Sequence, residues 1–268
     1  MTSREATDNI ARIANRFVDA RRTATVLADY PGAIPAALEE AYAVQDAAIA
    51  LRQGAIVGWK VGRINPPMNG IDRLVGPIFA EQVAVSGAEL VEPAVMPVFD
   101  GGFAAAEAEF LLRIGTAPDP EKLSYTLDEA RALIDAVHVG IEIASSPFGG
   151  INDLGASVTI SDFGNNNGLV VGPAIAGWHG EDLLSWPVEV EINGKPVGAA
   201  TAAAMLDGPF GAARFLFELL AARGIELSPG HWISSGAVTG VHLVAIGDHV
   251  SARFNGGLPV ECVITAQA

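Results

Sequence analysis

Two glutamates two residues apart constrain this chain more than any other feature, because they lie in an apolar stretch, Ala105-Ala106-Glu107-Ala108-Glu109-Phe110-Leu111-Leu112. In a strand, residues i and i+2 point to one face, so both carboxylates project together from a segment suited to burial. A third acid, Glu142, is embedded in Val139-Gly140-Ile141-Glu142-Ile143-Ala144. Adjacent anions repel, and burying each costs several kcal/mol unless something positive lies between them. For an all-oxygen set the fitting partner is a hard divalent ion, Mg2+, Mn2+ or Ca2+, with Glu142 as third ligand. The competing readings are a solvated strand face or paired structural acids.

The chain supplies its own control in Val188-Glu189-Val190-Glu191-Ile192-Asn193-Gly194-Lys195-Pro196-Val197. There large apolar residues alternate with the acids and an Asn-Gly turn follows, which predicts a half-exposed hairpin with solvated glutamates. Around Glu107 the alternate positions are alanines, and Glu142 has apolar neighbours on both sides.

With 31 acidic against 16 basic side chains and a formal net charge of -15, nucleic acid and anionic membrane surfaces are electrostatically disfavoured partners. A small anionic substrate stays possible where a local positive site exists. The single cysteine, Cys262, has no disulfide partner within the chain and lies in an apolar run, which predicts a buried structural thiol and a reducing, cytoplasmic setting. Residues 1–22 are charged throughout, and no stretch approaches about 18 uninterrupted apolar residues, so neither a leader nor a membrane span is expected.

Helical spacing dominates the first fifty residues: Ile10, Ile13, Ala14, Phe17 and Val18, then Leu38, Ala41, Tyr42, Gln45 and Ile49. Residues 55–62 read as a short strand, and 64–76, with Pro66-Pro67, as a loop. Short strands follow, broken by helices near 127–135 and 209–223. The expectation is an α+β chain with a helical N-terminal part, residues 1–62, and a β-rich part, residues 63–268, carrying the site.

Lys60 is the one lysine of three inside an apolar run, Gly58-Trp59-Lys60-Val61-Gly62. A buried lysine needs an anionic partner or a lowered pKa, which suits proton transfer or holding a carboxylate; the alternative is a stem that packs while its head reaches water. Ser161-Asp162-Phe163-Gly164-Asn165-Asn166-Asn167-Gly168 follows an apolar segment read as a strand and forms a tight turn; Ser234-Ser235-Gly236-Ala237-Val238-Thr239-Gly240 offers hydroxyls and free N-H groups. Most Asn/Gly runs like the first are simply turns, and the second is equally readable as a structural loop. The five histidines, His138 included, read as packed or surface imidazoles. There is no Gly-x-Ser-x-Gly elbow, Gly-x-Gly-x-x-Gly or Walker-type loop.

In order and spacing, Gly58-Trp59-Lys60-Val61-Gly62, Glu107-x-Glu109, Ile141-Glu142-Ile143, the turn at 161–168 and Ser235-Gly236-Ala237-Val238-Thr239-Gly240 together resemble the 2-keto-4-pentenoate hydratase and 4-oxalocrotonate decarboxylase branch of the fumarylacetoacetate hydrolase superfamily. The likeness covers nearly the whole chain. It implies a mixed β-roll with a smaller helical N-terminal part, and Mg2+ or Mn2+ on Glu107, Glu109 and Glu142. The implied substrate is a small anionic 2-hydroxy-dienoate or its 2-oxo form, with Lys60 and Asp162 catalytic and Arg63, Asn165, Ser235 and Thr239 contacting substrate. The leading expectation is a hydratase that adds water to a 2-oxopent-4-enoate-type acid in aromatic ring-cleavage catabolism, in a homo-oligomer.

Three departures qualify this. Arg63-Ile64-Asn65-Pro66-Pro67-Met68 replaces the Thr-Ser pair of the hydratases, Asp162-Phe163-Gly164 replaces a commoner Asp-Asn-Ala, and no histidine precedes His138, which argues against the hydrolases' mechanism. The rivals are a 4-oxalocrotonate-type decarboxylase, whose second substrate carboxylate would need Arg63 or Arg73, and an inactive binding or partner subunit of the same fold.

Overall fold

The structure, a computed structural model, describes residues 3–87 and 93–268. Two helices open the chain, α1 (Ser3–Arg22) and α2 (Leu38–Arg52), as the apolar spacing predicts. Ile13, Ala14 and Phe17 of α1 pack with Val44 and Ala48 of α2 and with Phe79, Phe148 and Phe163. There follow β1 (Ile56–Met68), β2 (Ile71–Phe79), β3 (Val83–Val85), β4 (Ala94–Val98) and β5 (Phe103–Ile114). Next come α3 (Leu127–Ala132), β6 (Ile134–Ser146), α4 (Ala156–Ser161), β7 (Asn166–Ala174), β8 (Pro187–Ile192), β9 (Lys195–Thr201) and α5 (Gly208–Ala222). Strands β10 (Trp232–Ser234), β11 (His242–Leu243), β12 (His249–Phe254) and β13 (Leu258–Ala266) close the chain.

The strands form two mixed sheets. One runs β2-β1-β10-β5-β6-β7-β3, with β11 also on β5, and the other runs β4-β13-β12-β8-β9. The main hydrophobic core includes Phe110, Ile141 and Ile143 of the first sheet and Val190, Phe254, Val260 and Ile264 of the second. The expected α+β architecture is what the chain adopts.

Two local expectations need correction. The segment 64–76 is a hairpin rather than a loop: β1 continues to Met68 and β2 begins at Ile71 around Asn69-Gly70, both at positive φ. The prolines fit because the pairing slips between Arg63 and Met68, so no ladder bond is demanded of them. The apolar segment before Ser161 is helix α4, not a strand; Val158 and Ile160 are fully buried, and that packing overrides β-branched propensity. The 188–197 hairpin forms as read, with Val188 and Val190 inside and Glu189 outside. Cys262 is buried and its thiol pKa is pushed up to about 12 by desolvation, which leaves it inert.

Candidate metal centre and cavity

Strands β5 and β6 pair antiparallel in a register that sets Glu107 directly opposite Glu142 and Glu109 opposite Gly140. One carboxylate oxygen from each of the three glutamates lies within 4.8 Å of the others. All three are buried, Glu107 at 8% exposure and Glu109 and Glu142 at 0%. Gly140 makes room: a Cβ there would collide with the Leu111 side chain.

Each of the two deepest carboxylates has one oxygen fixed and one free. Ser234 Oγ and the Gly236 N-H, the latter at 3.0 Å, both donate to Glu109 Oε2. Asn166 Nδ2 donates to Glu142 Oε1 at 2.9 Å. Glu109 Oε1 and Glu142 Oε2 are fully buried and accept no hydrogen bond. Buried acceptors without donors are costly, and fixing one oxygen while baring the other is how outer groups orient metal ligands. Three buried oxygen donors with these bare atoms fit a hard divalent cation.

Lys60, on β1, reaches this cluster from the far side of β10, the short strand that pairs with both β1 and β5. Its Nζ lies 3.4 Å from Glu142 Oε2, an ion pair too long to satisfy that oxygen fully, and its side chain is buried. Burial lowers the lysine pKa, but the carboxylates of Glu142, Glu107 and Glu109 raise it by more, so the group stays an ammonium. Desolvation pushes the Glu107 carboxyl up to about 7 against the pull of Lys60. Desolvation and the neighbouring Glu142 and Glu107 charges hold Glu109 well above the carboxylate range. Three acids and one lysine leave an excess of two negative charges when all are ionised, and a divalent ion matches that excess.

The cluster opens on a cavity of about 880 Å³. Six of the residues singled out from sequence line it: Lys60, Arg63, Glu107, Asn165, Ser235 and Thr239. The loop after β10 is tied along β5 by Ser235 N-H to Phe110 O at 3.3 Å and Val238 N-H to Ala108 O at 2.9 Å, and so flanks Glu109. Asn165 Oδ1 and Ser235 Oγ, both buried, have no protein partner. Arg63 and Arg73 stand opposite each other across the β1/β2 hairpin, and both line the cavity. Arg73 is committed to Leu206 O at 2.6 Å and to the Asp72 carboxylate at 3.0 Å, whereas Arg63 is exposed and has no ion-pair partner among the described residues.

Asp162 does not line the cavity. Its carboxylate is buried in a two-pronged pair with Arg21 and accepts a hydrogen bond from Ser146 Oγ at 2.6 Å. Sequence reasoning passed over Arg21, although it follows Ile13 and Phe17 at intervals of four on the buried face of α1. It also left His242 apart. That residue pairs with Ala106 through β11, and its Nε2 lies 2.9 Å from the Thr239 hydroxyl. No sequence signal announces a neighbour made only by sheet pairing.

No family model matches the chain. Among curated proteins, 4-oxalocrotonate decarboxylase from Pseudomonas putida is 30% identical over 125 residues. The match spans 47% of this chain and 47% of that protein, so about half the length of the relative is covered. Among solved structures, 4-oxalocrotonate decarboxylase from Pseudomonas putida G7 complexed with magnesium and adipate superposes with a TM-score of 0.79 at 22% identity, covering 98% of this chain and 99% of that one. Fumarylpyruvate hydrolase from Pseudomonas aeruginosa in complex with Mn2+ and pyruvate gives a TM-score of 0.58 at 16% identity over 78% and 88% of the two chains. At these identities the structural likeness establishes the fold. The similar proteins are thus 4-oxalocrotonate decarboxylase and members of the fumarylacetoacetate hydrolase superfamily, the grouping its motifs resemble.

Proposed function

We propose that this protein is a metal-dependent lyase that decarboxylates a dicarboxylic 2-oxo-enoate of the 4-oxalocrotonate type. One observation carries the choice: apart from the Lys60 and glutamate cluster, the cavity has a second, cationic side, the Arg63/Arg73 pair on the hairpin. Asp72 already pairs with Arg73, so Arg63 is the arginine left for a second substrate carboxylate. A monocarboxylic dienoate, the substrate of the hydratase expected from sequence, leaves Arg63 without a counterion. The adipate found with the decarboxylase of Pseudomonas putida G7 is likewise a dicarboxylate.

The residues divide the work as follows. A divalent ion held by Glu107, Glu109 and Glu142 would polarise the 2-oxo group and stabilise negative charge developing on its oxygen. Ser235 lines the cavity with its hydroxyl unpaired, and that hydroxyl is available to donate to the substrate's near carboxylate; Asn165 also lines the cavity. Arg63 attracts the far carboxylate, and its exposure keeps that pairing weak enough not to oppose bond breaking. When the bond to that carboxylate breaks, carbon dioxide leaves uncharged, and the electron pair shifts through the conjugated carbons to the 2-oxo oxygen. Lys60, held as an ammonium, donates a proton there, which gives a 2-hydroxy-2,4-dienoate, and recovers one from water.

The test is product identification by mass spectrometry, with Mg2+, Mn2+ or excess chelator, on two substrates: 4-oxalocrotonate and 2-hydroxypenta-2,4-dienoate. Metal-dependent loss of carbon dioxide from the first supports the decarboxylase. Gain of water by the second, with no turnover of the first, returns the hydratase reading. Turnover of neither by metal-bound protein indicates a binding subunit.

A further inference from the structure

We infer that Arg21 is a positioning residue for the carboxylate site, clamping the turn at 162–167 so that Asn166 orients Glu142 and Gly164 packs against Lys60. The inference rests on the metal site proposed above. Arg21 lies on the buried face of α1, one helical turn after Phe17, with its guanidinium 5.5 Å from the Phe99 ring centre and 5.2 Å from that of Phe163. Its Nε and Nη2 reach the two Asp162 carboxylate oxygens at 2.5 and 2.9 Å. The same Nη2 donates to Ser145 O at 3.1 Å, and Nη1 donates to Asn167 Oδ1 at 2.9 Å.

One planar guanidinium therefore joins three segments that flank the site. Ser145 is three residues beyond Glu142 on β6, Asn167 adjoins the Asn166 that holds Glu142 Oε1, and Asp162 begins the turn. Phe163, Gly164 and Asn165 follow with φ of +54, +64 and +67°. Successive left-handed residues persist only where their surroundings hold them. Packing beneath the turn leaves little slack: a Cβ on Gly164 would come within 3.0 Å of Gly76 Cα and 3.3 Å of Lys60 Cδ, and one on Gly76 would strike the Phe163 carbonyl. Release of Asp162 then lets the turn shift, and both Asn166 and the lysine stem shift with it. The two-pronged geometry is one a lysine cannot reproduce.

The experiment is Mn2+ titration of the full chain, followed by the electron paramagnetic resonance signal of free aqueous Mn2+. The native protein is compared with Arg21→Lys and with the charge-balanced pair Arg21→Met plus Asp162→Asn, which leaves no buried charge unpaired. The inference expects the dissociation constant of the balanced pair to rise about 10- to 100-fold, the usual effect of losing an outer-shell partner. Arg21→Lys should lie between it and native protein, and decides the matter if the pair does not fold. A native dissociation constant in both variants, with only a lowered Tm, reduces Arg21 to a structural ion pair and overturns the inference. If native protein binds no Mn2+, the proposed metal site itself fails, and this inference with it.

Discussion

Ion binding by the glutamate cluster should release protons, because its buried carboxyls hold them. Desolvation places the Glu107 pKa at about 7 and that of Glu109 well above the carboxylate range. At pH 7 Glu107 is then about half protonated and carries about half a proton that an incoming divalent ion must displace, and the raised pKa of Glu109 adds to the release. Calorimetric titration with Mg2+ or Mn2+ in buffers of different ionisation enthalpy measures the release directly. Because affinity rises tenfold per pH unit for each proton released, the half proton of Glu107 should by itself lower the dissociation constant about threefold between pH 6.5 and 7.5, and Glu109 should steepen the fall. Glu109→Gln removes that residue's share and should leave about half a proton, that of Glu107. Binding with no proton release, or with an affinity flat across this pH range, would refute the assignment of these buried carboxyls as ligands.

Stability of the chelated protein should fall as pH rises. Glu107 has a folded pKa above its unfolded value of 4.5, so the contribution is fully present below that value and is lost as pH rises through about 7. The shift corresponds to about 3 kcal/mol, or roughly 6 to 12 °C in Tm, and saturating Mg2+ should flatten the dependence in a thermal melt. Lys60→Met removes the ammonium 3.4 Å from Glu142 and should lower kcat by about 10² to 10⁴ while Mn2+ binding persists, checked by parallel rate and binding assays. Arg63→Gln should raise KM about fivefold for a dicarboxylic substrate and leave a monocarboxylic analogue unaffected, because Arg63 is exposed and its pairing is weak.

The carboxylate cluster was legible because strand alternation places Glu107 and Glu109 on one face, and because apolar neighbours mark Glu142 as buried. Lys60 was legible for the same reason. The sequence does not disclose that β5 and β6 pair with Glu107 opposite Glu142; a register slip of one residue would have sent that carboxylate to the other face. The hairpin at 64–76 carried its signal in Asn69-Gly70, but Pro66-Pro67 outweighed it, since the slipped pairing that tolerates them is a tertiary feature. Helix α4 was hidden by β-branched residues whose burial decides their state. Arg21 was within reach of helical periodicity, yet its partner Asp162 is 141 residues away, and no local pattern joins them. Thr239 reaches His242 three residues on, but only the β11/β5 pairing brings that imidazole beside the strand of Glu107 and Glu109.

The central claim, that Glu107, Glu109 and Glu142 together hold a divalent ion at the floor of the cavity, is tested most directly by anomalous diffraction from crystals grown with Mn2+. The account predicts one strong peak bounded by the three carboxylates, with Glu109 Oε1 and Glu142 Oε2 as ligand atoms and oxygen distances of about 2.0–2.3 Å. A peak elsewhere, or none between these side chains at saturating Mn2+, would contradict it.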